Sequence, residues 1–471
     1  MYNVKSCKAD EFINHEEILE TLDYAQANKN NRALIEQLID KAALCKGLTH
    51  REAALLLCCD QPDLINRIYH LAKEMKKKFY GNRIVMFAPL YLSNYCVNGC
   101  IYCPYHAKNH HISRKKLTQD EIRKEVVALQ DMGHKRLALE MGEHPHINTM
   151  EYLLESIRTI YDIHHKNGAI RRVNVNIAAT TVENYRKLKD AGIGTYILFQ
   201  ETYNKENYER LHPAGPKSNY AYHTEAMDRA MQGGIDDVGC GVLFGLTSYR
   251  YDLVGLLMHA EHLEAAFGVG PHTISVPRIR PADDINPQDF PNAVPDDMFC
   301  HIVAVIRLAV PYTGMIVSTR ESKATREKVL EIGISQISGA SSTSVGGYSE
   351  ADGEEDTAQF DTNDKRTLDE VVSWLMKRGF VPSFCTACYR AGRTGDRFMA
   401  LVKAGQIGNC CSPNALMTLK EYLMDYASES TRREGEKMIE EEMQKIPNPK
   451  VREIAMLHLK QMEECQRDFR F

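Results

Sequence analysis

Residues 86–106 read MFAPLYLSNYCVNGCIYCPYH, an apolar run followed at once by three cysteines. The run Met86–Leu92 predicts a buried β-strand, because it is short and is followed by polar residues. Toward the C-terminus, further runs of this kind alternate with longer amphipathic segments of helical periodicity. They are Arg136–Met141, Val173–Ala178, Thr195–Gln200, Val238–Phe244, His272–Val276, Met315–Thr319 and Ile334–Ser338.

The alternation of strand and helix predicts parallel strands that are joined by right-handed crossovers. Eight strand–helix units over about 260 residues match the usual size of a closed (β/α)8 barrel of the TIM type. A doubly wound open sheet is the alternative, but eight units favour closure. We therefore predict an α/β protein in which residues 81–345 form a (β/α)8 barrel.

The two ends of the chain lack this alternation. Residues 1–80 carry apolar side chains at helical spacing and predict an N-terminal helical extension. Residues 346–471 predict a mostly helical C-terminal domain, and the polar, glycine-rich residues 345–366 predict a surface connection to it. The predicted helices of this domain, which precede a charged helical tail, are Leu368–Lys377, Gly395–Ala404 and Pro413–Tyr426.

The composition is that of an ordinary globular protein without a strong charge bias. The chain has 471 residues, a net charge of −5 and 44% hydrophobic residues, which argues against a nucleic-acid partner. No apolar run approaches the roughly 20 residues that cross a bilayer, and the N-terminus lacks a signal-peptide pattern. We expect a cytoplasmic protein with no membrane partner. In that reducing compartment, its 14 cysteines indicate metal or catalytic sites rather than disulfides.

Cys96, Cys100 and Cys103 have the spacing of ligands to an iron–sulfur cluster. Each of the three thiolates can bind one iron of a 4Fe-4S cubane, which leaves the fourth iron without a protein ligand. S-adenosylmethionine (SAM) can chelate such an open iron through its amino and carboxylate groups, and an electron from the cluster then breaks the sulfonium bond. A zinc site completed by His106 is the alternative, but zinc sites usually have a fourth protein ligand nearby.

The cysteine motif resembles that of the radical SAM superfamily, in which an aromatic residue precedes the third cysteine. The resemblance places that aromatic, Tyr102, beside the SAM adenine, and it implies that Gly142 and Glu143 meet the SAM amino group. Met141 stands where the family more often has glycine. Glu201, after the fourth strand, adds a carboxylate at the same barrel mouth. A solvated loop acid is the alternative for both glutamates.

Ser318 and Arg320 end the seventh strand, at the predicted mouth of the barrel. An arginine there can bind a carboxylate through two parallel hydrogen bonds, which suits an amino-acid substrate. A surface arginine paired with a neighbouring acid is the alternative. Three segments resemble the aromatic amino-acid lyases of the radical SAM superfamily: FQETY (199–203), GPHTISVPR (270–278) and STRE (318–321).

A second set of cysteines distinguishes the two branches of these lyases. Cys385, Cys388 and Cys411, with two and 22 residues between them, match the C-terminal motif of the branch that matures the di-iron hydrogenase. The other branch, the 2-iminoacetate synthases of thiamine biosynthesis, has no such extension. The resemblance implies an auxiliary 4Fe-4S cluster, and a structural zinc module that uses Cys410 is the alternative. The flanking segments match as well: YRAGRTGDRF (389–398) and SPNALMTLKEY (412–422).

The resemblance also implies a role for His272, which opens the sixth strand at the end of the barrel opposite Cys96. In this branch the auxiliary cluster carries an extra labile iron that is bound partly by a histidine, and GPHTIS matches that context. Neutral imidazole is a suitable ligand for ferrous iron. A packed rim residue is the alternative, because barrel chemistry ordinarily occurs at the other end.

The implied activity is that of a radical SAM tyrosine lyase. Such an enzyme cleaves L-tyrosine to p-cresol and dehydroglycine, and converts the fragment to carbon monoxide and cyanide on iron for assembly of the [FeFe]-hydrogenase H-cluster. The implied partners are other hydrogenase maturases and a reductant such as ferredoxin or flavodoxin. Two alternatives remain: a 2-iminoacetate synthase, which stops after the first cleavage, and a non-catalytic scaffold that delivers iron.

Overall fold

The computed structural model describes residues 1–349 and 357–471, so residues 350–356 of the predicted surface connection lie outside the described part of the chain. The strands are β1 (Arg83–Ser93), β2 (Arg136–Met141), β3 (His164–His165), β4 (Gly168–Ala169), β5 (Arg172–Asn176), β6 (Tyr196–Glu201), β7 (Val238–Val242), β8 (Thr273–Ser275), β9 (Gly314–Val317), β10 (Gln336–Ser338) and β11 (Val381–Ser383).

Eight of these strands form a closed parallel barrel. Neighbours along the chain pair with each other, from β1 to β2 and then from β5 through to β10. The last strand pairs back onto the first, with Met86 opposite Ile337, and this pairing closes the barrel. The hairpin β3–β4 is separate and antiparallel. The predicted (β/α)8 barrel is confirmed, and its closure excludes the open-sheet alternative.

All eight predicted strands are present, and the first of them is longer than predicted. Strand β1 begins at Arg83 rather than Met86. Its first residues pair with β11 from the C-terminal part of the chain, where Val85 lies opposite Ser383. This ninth parallel strand carries the following residues, including Cys385, to the N-terminal end of the barrel.

Helices alternate with the barrel strands and also form both extensions. The N-terminal helices are α1 (Ala9–Phe12), α2 (His15–Asn28), α3 (Arg32–Ala43), α4 (His50–Cys58) and α5 (Pro62–Tyr80). The barrel helices are α6 (Gln119–Met132), α7 (Met150–Asp162), α8 (Val182–Asp190), α9 (Lys205–Leu211), α10 (Tyr220–Thr224), α11 (Ala226–Gln232), α12 (Tyr249–Phe267), α13 (Asp296–Ala309) and α14 (Lys323–Ile332). The C-terminal helices are α15 (Leu368–Lys377), α16 (Ala387–Arg390), α17 (Gly395–Lys403), α18 (Ile407–Asp425), α19 (Glu429–Met443) and α20 (Pro449–Glu463).

Threonine caps define where several of these helices begin. Thr118 accepts a hydrogen bond from the Glu121 N–H, and the Glu121 carboxylate accepts one from the Thr118 N–H. Thr367 and Glu370 form the same reciprocal pair at the start of α15. A cap of this kind typically stabilises a helix by about 1 kcal/mol.

The N-terminal helices pack on the outside of the barrel, against α12, α13 and α14. A buried polar network joins α2, α4 and α12, because the His50 imidazole lies 2.9 Å from Glu17 and 2.8 Å from Glu261. One hydrophobic core extends from Ala9 to Met462. The division of the chain into residues 1–80, 81–345 and 346–471 stays a prediction. Each helix in the described ranges is too short or too polar to cross a membrane.

Candidate functional site

The loop after β1 brings three cysteines together at the C-terminal end of the barrel. Cys96, Cys100 and Cys103 line one cavity at the barrel mouth, as predicted. The alternative zinc ligand His106 is engaged elsewhere, since its Nε2 lies 3.2 Å from Oδ2 of Asp284. No three His, Cys, Asp or Glu side chains of the described ranges converge on a site for a single ion. In a cubane cluster each thiolate binds a different iron.

Burial determines the protonation state of these cysteines when no iron is bound. It raises the pKa of Cys103 to about 11 and also raises the pKa of Cys100, which is 6% exposed. Both thiols therefore keep their protons at neutral pH. Iron would displace these protons, because the thiolate is the form that binds metal.

Tyr102 lines the same cavity with its hydroxyl group held in one orientation. His212 donates from Nδ1 to the Tyr208 carbonyl over 2.6 Å, so its Nε2 accepts the hydrogen bond from Tyr102 at 2.7 Å. Burial lowers the pKa of His212 to about 3, which keeps its imidazole neutral. The position of Tyr102 fits the predicted contact with the SAM adenine, which itself stays a prediction.

Gly142 and Glu143 form the wall of the cavity next to the cysteine loop. A Cβ on Gly142 would lie 2.5 Å from the carbonyl oxygen of Tyr95, so glycine is required for this close approach. The Glu143 carboxylate accepts a 2.6 Å hydrogen bond from Asn98, and burial raises its pKa. Their contacts with the SAM amino group stay a prediction.

Glu201 ends β6 in a strained backbone conformation and forms an ion pair with Lys217. Its φ of +68° lies in the left-handed region, which costs a non-glycine residue on the order of 1–3 kcal/mol. Lys217 Nζ lies 2.8 Å from Oε1 of Glu201, and both residues line the cavity. Burial alone would lower the pKa of Lys217, but the negative charge of Glu201 raises that pKa above its ordinary value. No sequence motif indicates Lys217.

Arg320 lies in the turn after β9 and lines both the cysteine cavity and a second cavity inside the barrel. Its guanidinium carbon is 3.5 Å from the ring centroid of Phe360. The adjacent acid, Glu321, binds Arg278 and Arg280 instead. Within the described ranges, no carboxylate pairs with Arg320. Its guanidinium can therefore donate hydrogen bonds to a substrate carboxylate.

The inner cavity has an apolar wall and a polar rim. Burial raises the pKa of Glu140 to about 8, so that this rim carboxyl group is largely protonated at neutral pH. Ser318 places its hydroxyl group beside Arg320 on the same rim. Such a cavity suits an amino acid with a flat apolar side chain. The apolar wall includes Phe87, Pro89, Ile197, Phe199 and Ile316.

Residues 357–364 cover the mouth of the barrel, where the sequence predicts a surface connection. Thr357 is fully buried, and Phe360 is 7% exposed. The Tyr91 hydroxyl donates a 2.8 Å hydrogen bond to Oε1 of Gln359, which also lines the cavity. The predicted surface connection is therefore wrong for residues 357–364, which are partly buried. The sequence could not indicate this burial, because one aromatic side chain among polar neighbours produces no periodic signal.

The second set of cysteines lies at the opposite end of the barrel. Cys385 and Cys388 follow β11, and Cys411 lies in α18. These three side chains line one cavity together with His272. Cys410 lies outside this wall, with its Sγ 3.7 Å from that of Cys411. The structure therefore brings the predicted auxiliary-site residues together.

Buried positive charge surrounds this second cavity. Hydrogen bonds from the thiols of Cys388 and Cys410 hold the pKa of Cys411 well below its ordinary value. Within the part of the chain that the structure describes, Nε and Nη2 of Arg83 and Nε of Arg136 are buried without a hydrogen-bond partner. Buried charges are costly unless they are compensated, and an iron–sulfur cluster with thiolate ligands is anionic. These residues fit such a cluster.

His272 immediately precedes β8, with a carboxylate close to one of its ring nitrogens. Nδ1 lies 3.2 Å from Oδ1 of Asp237, and Nε2 lies 2.7 Å from the Tyr389 hydroxyl. Metal-binding histidines usually have a carboxylate at one nitrogen, because it orients the other nitrogen toward the metal. The position of His272 beside Cys385 matches the prediction, and its role as an iron ligand stays a prediction.

Two known protein families match consecutive parts of the chain. Residues 90–254, which contain the first cysteine loop, match the radical SAM superfamily. Residues 275–381 match the biotin and thiamin synthesis associated domain.

Solved structures share the fold over nearly the whole chain. A crystal structure of HydG, a maturase of the [FeFe]-hydrogenase, is 55% identical with a TM-score of 0.94, covering 98% of this chain and 100% of that chain. HydG from Carboxydothermus hydrogenoformans is 38% identical with a TM-score of 0.82, covering 96% and 99%. The 2-iminoacetate synthase of Salmonella typhimurium is 29% identical over 346 residues, which are 73% of this chain and 89% of that protein.

Proposed function

Because the chain belongs to the HydG family of the radical SAM superfamily, we propose that it is a tyrosine lyase of [FeFe]-hydrogenase maturation. In this proposal it cleaves L-tyrosine to p-cresol and dehydroglycine, and converts the fragment to carbon monoxide and cyanide on iron. Membership in the superfamily implies a 4Fe-4S cluster and SAM, which supply a 5′-deoxyadenosyl radical when bound.

The observation that carries this proposal is the pair of cysteine-lined cavities at opposite ends of one barrel. A 2-iminoacetate synthase requires only the first of them, and the match to the Salmonella enzyme covers 73% of the chain. The similarity to HydG covers 98% of the chain and extends through the second set of cysteines. The closed barrel between the cavities supports the two-stage reaction, because its walls can shield a reactive imine from water.

The inner cavity supports an aromatic amino acid as the substrate. We assign Arg320 to the carboxylate of tyrosine, and Ser318 to a hydrogen bond with the same group. The substrate ring then packs against the apolar wall, which includes Phe199. Phe360 lies against Arg320 and limits how the guanidinium can turn. This placement brings the substrate amino group toward the cysteine cavity, because the two cavities share Arg320 and Glu140.

We predict that Arg320→Ala weakens tyrosine turnover far more than tyrosine-independent SAM cleavage. Loss of a charge-assisted contact costs about 1.5–3 kcal/mol, which corresponds to roughly ten- to a hundredfold in affinity. The measurement is p-cresol formation against tyrosine concentration. Arg320→Lys is the matched control, since it keeps the charge and loses the two-pronged geometry, and we expect an intermediate effect. An unchanged dependence on tyrosine concentration in Arg320→Ala would place the carboxylate contact elsewhere.

We predict that His272→Ala retains p-cresol formation and both cubane clusters but loses the extra iron and its carbonyl species. The substitution removes the one imidazole in the second cavity and leaves the barrel mouth intact. Infrared spectroscopy and iron analysis provide the measurements. Tyr389→Phe is the control, because it removes the hydrogen bond to Nε2 and keeps the imidazole. Normal iron binding and carbonyl formation in His272→Ala would refute the assignment.

An anaerobic incubation with SAM, tyrosine and dithionite tests the proposed function as a whole. We expect 5′-deoxyadenosine, p-cresol, carbon monoxide and cyanide. A 2-iminoacetate synthase would form p-cresol without carbon monoxide, and an iron-delivery scaffold would form none of these products. We also propose a cytoplasmic location, ferredoxin or flavodoxin as the reductant, and other hydrogenase maturases as partners.

A further inference from the structure

We propose that residues 468–471 are positioning residues for the second cluster, because they join the chain segment of Cys388 to the helix of Cys411. This inference rests on the proposed function, since it assumes that these two cysteines bind a cluster. The two cysteines have 22 residues between them in the sequence. The distance between their thiols therefore depends on contacts that hold the two segments together.

Two arginines that follow Cys388 bind this segment. Arg390 donates two parallel hydrogen bonds to the carboxylate of Asp468, over 2.5 and 2.6 Å. Arg393 donates from Nη2 to the main-chain oxygen of Phe471, and its own backbone N–H donates to the Cys388 carbonyl over 2.8 Å. Arg393 therefore connects the backbone of a predicted cluster ligand directly to Phe471.

Helix α18 holds the same segment from the other side. Asn414 is 1% exposed and lies three residues after Cys411, so the two side chains are neighbours on the helix. Oδ1 of Asn414 accepts a 2.8 Å hydrogen bond from the Phe471 N–H. Further along α18, the Glu421 carboxylate accepts one from the Asp468 N–H over 2.6 Å. The helix of one cysteine and the segment of the other therefore bind the same two residues.

Residues 468–471 are also fixed to the barrel. Arg171 immediately precedes β5, and its Nε lies 3.3 Å from Oδ1 of Asp468. Nη1 of Arg171 lies 2.9 Å from Oε2 of Glu421, which is fully buried. An isolated ion pair at a partly exposed site contributes little. Here the charges form one network with a buried member, so the loss of one partner leaves others uncompensated.

Cys385 is joined to α18 by a different contact. The N–H of the preceding residue, Phe384, donates to Oγ1 of Thr418 in that helix over 3.2 Å. Loss of the contacts of residues 468–471 should therefore act mainly on the position of Cys388. The second cluster would then be held incompletely, while the barrel mouth and the first cluster would be unaffected.

The test combines Asn414→Leu, which removes the side-chain amide at nearly constant volume, with Asp468→Gly, which removes the carboxylate. Glycine is chosen because Asp468 has a φ of +69°, where alanine would be strained. Asp468→Asn is the conservative variant, since it keeps an acceptor oxygen and asparagine tolerates this φ. Glu436→Ala is the matched control, because its carboxylate pairs with α18 through Lys420 at 2.8 Å.

The measurements use the full-length chain. Hydrogen exchange of residues 387–393 is measured before the clusters are loaded. Iron content and the electron paramagnetic resonance spectrum of each cluster are measured after loading. Carbon monoxide and p-cresol are then quantified in one anaerobic reaction with tyrosine, SAM and dithionite.

We expect faster exchange of residues 387–393 in the double variant, a normal first cluster and incomplete loading of the second. Carbon monoxide should fall at least about tenfold, as for the loss of a charge-assisted hydrogen bond, while p-cresol formation is retained. Asp468→Asn should be intermediate, and Glu436→Ala should resemble wild type.

A second cluster and a carbon monoxide yield equal to wild type in the double variant would overturn the proposal. So would an equal loss in Glu436→Ala, or a loss of p-cresol in the same proportion as carbon monoxide. If the double variant fails to fold, the single variants Asn414→Leu and Asp468→Asn decide. Failure of the proposed function would appear separately, as wild-type protein that forms neither p-cresol nor carbon monoxide.

Discussion

We expect each of the substitutions Cys96→Ala, Cys100→Ala and Cys103→Ala to abolish formation of 5′-deoxyadenosine from SAM. In the proposed cluster each thiolate is the protein ligand of one iron, so the loss of one thiolate would remove the site that binds and reduces SAM. The measurement is chromatography of the nucleoside after anaerobic incubation with dithionite. The iron held in cubane clusters should fall at the same time from about eight atoms per chain to about four, because the proposed second cluster keeps its own ligands.

Cys465→Ala is the control for these three variants. Cys465 is exposed and lies far along the chain from both cysteine sets, so this substitution should retain full SAM cleavage and iron content. SAM cleavage that persists in two or more of the three loop variants would refute the assignment of the first cluster. Loss of SAM cleavage in Cys465→Ala as well would mean that replacing an unrelated cysteine also inactivates the protein. The three loop variants would then not identify the cluster ligands.

The double variant Cys385→Ala with Cys388→Ala should separate tyrosine cleavage from carbon monoxide formation. We expect it to cleave tyrosine to p-cresol at a rate near that of wild type and to form no carbon monoxide. The reason is spatial: these cysteines line a cavity at the N-terminal end of the barrel, whereas Arg320 and the first cysteine loop lie at the other end. The measurements are chromatography of p-cresol and trapping of carbon monoxide by a haem protein.

Cys410→Ala is the matched control for the second cluster. Cys410 neighbours Cys411 but lies outside the wall of the cavity, so we expect this variant to form carbon monoxide normally. Wild-type carbon monoxide from the double variant would refute a catalytic role for the second cluster. Loss of carbon monoxide in Cys410→Ala would favour the alternative in which Cys410 is a ligand.

The barrel was predictable because its signals are local. Each strand is a short apolar run followed by a helix, and the eight runs from Met86–Leu92 to Ile334–Ser338 all coincide with barrel strands. The first cysteine loop was predictable for the same reason, since its three cysteines lie within eight residues of each other. Thr118 and Glu121 likewise indicate the start of a helix from their spacing alone.

Contacts between distant segments were less accessible from the sequence. Phe360 reaches the barrel mouth from a polar segment, and its contact with Arg320 depends on closure of the barrel. Lys217 pairs with Glu201 across a loop that has no recognisable motif. The pairing of β11 with β1 is a long-range contact between short strands, and three residues carry too little periodicity to indicate a partner.

The ratio of carbon monoxide to p-cresol in one anaerobic reaction tests the account most directly. Uniformly ¹³C-labelled tyrosine, SAM and dithionite are incubated with the fully loaded protein, and labelled carbon monoxide and p-cresol are quantified together. We predict that both products form and that their ratio approaches one. Formation of p-cresol without labelled carbon monoxide, or of neither product while 5′-deoxyadenosine accumulates, would contradict a tyrosine lyase that completes both stages.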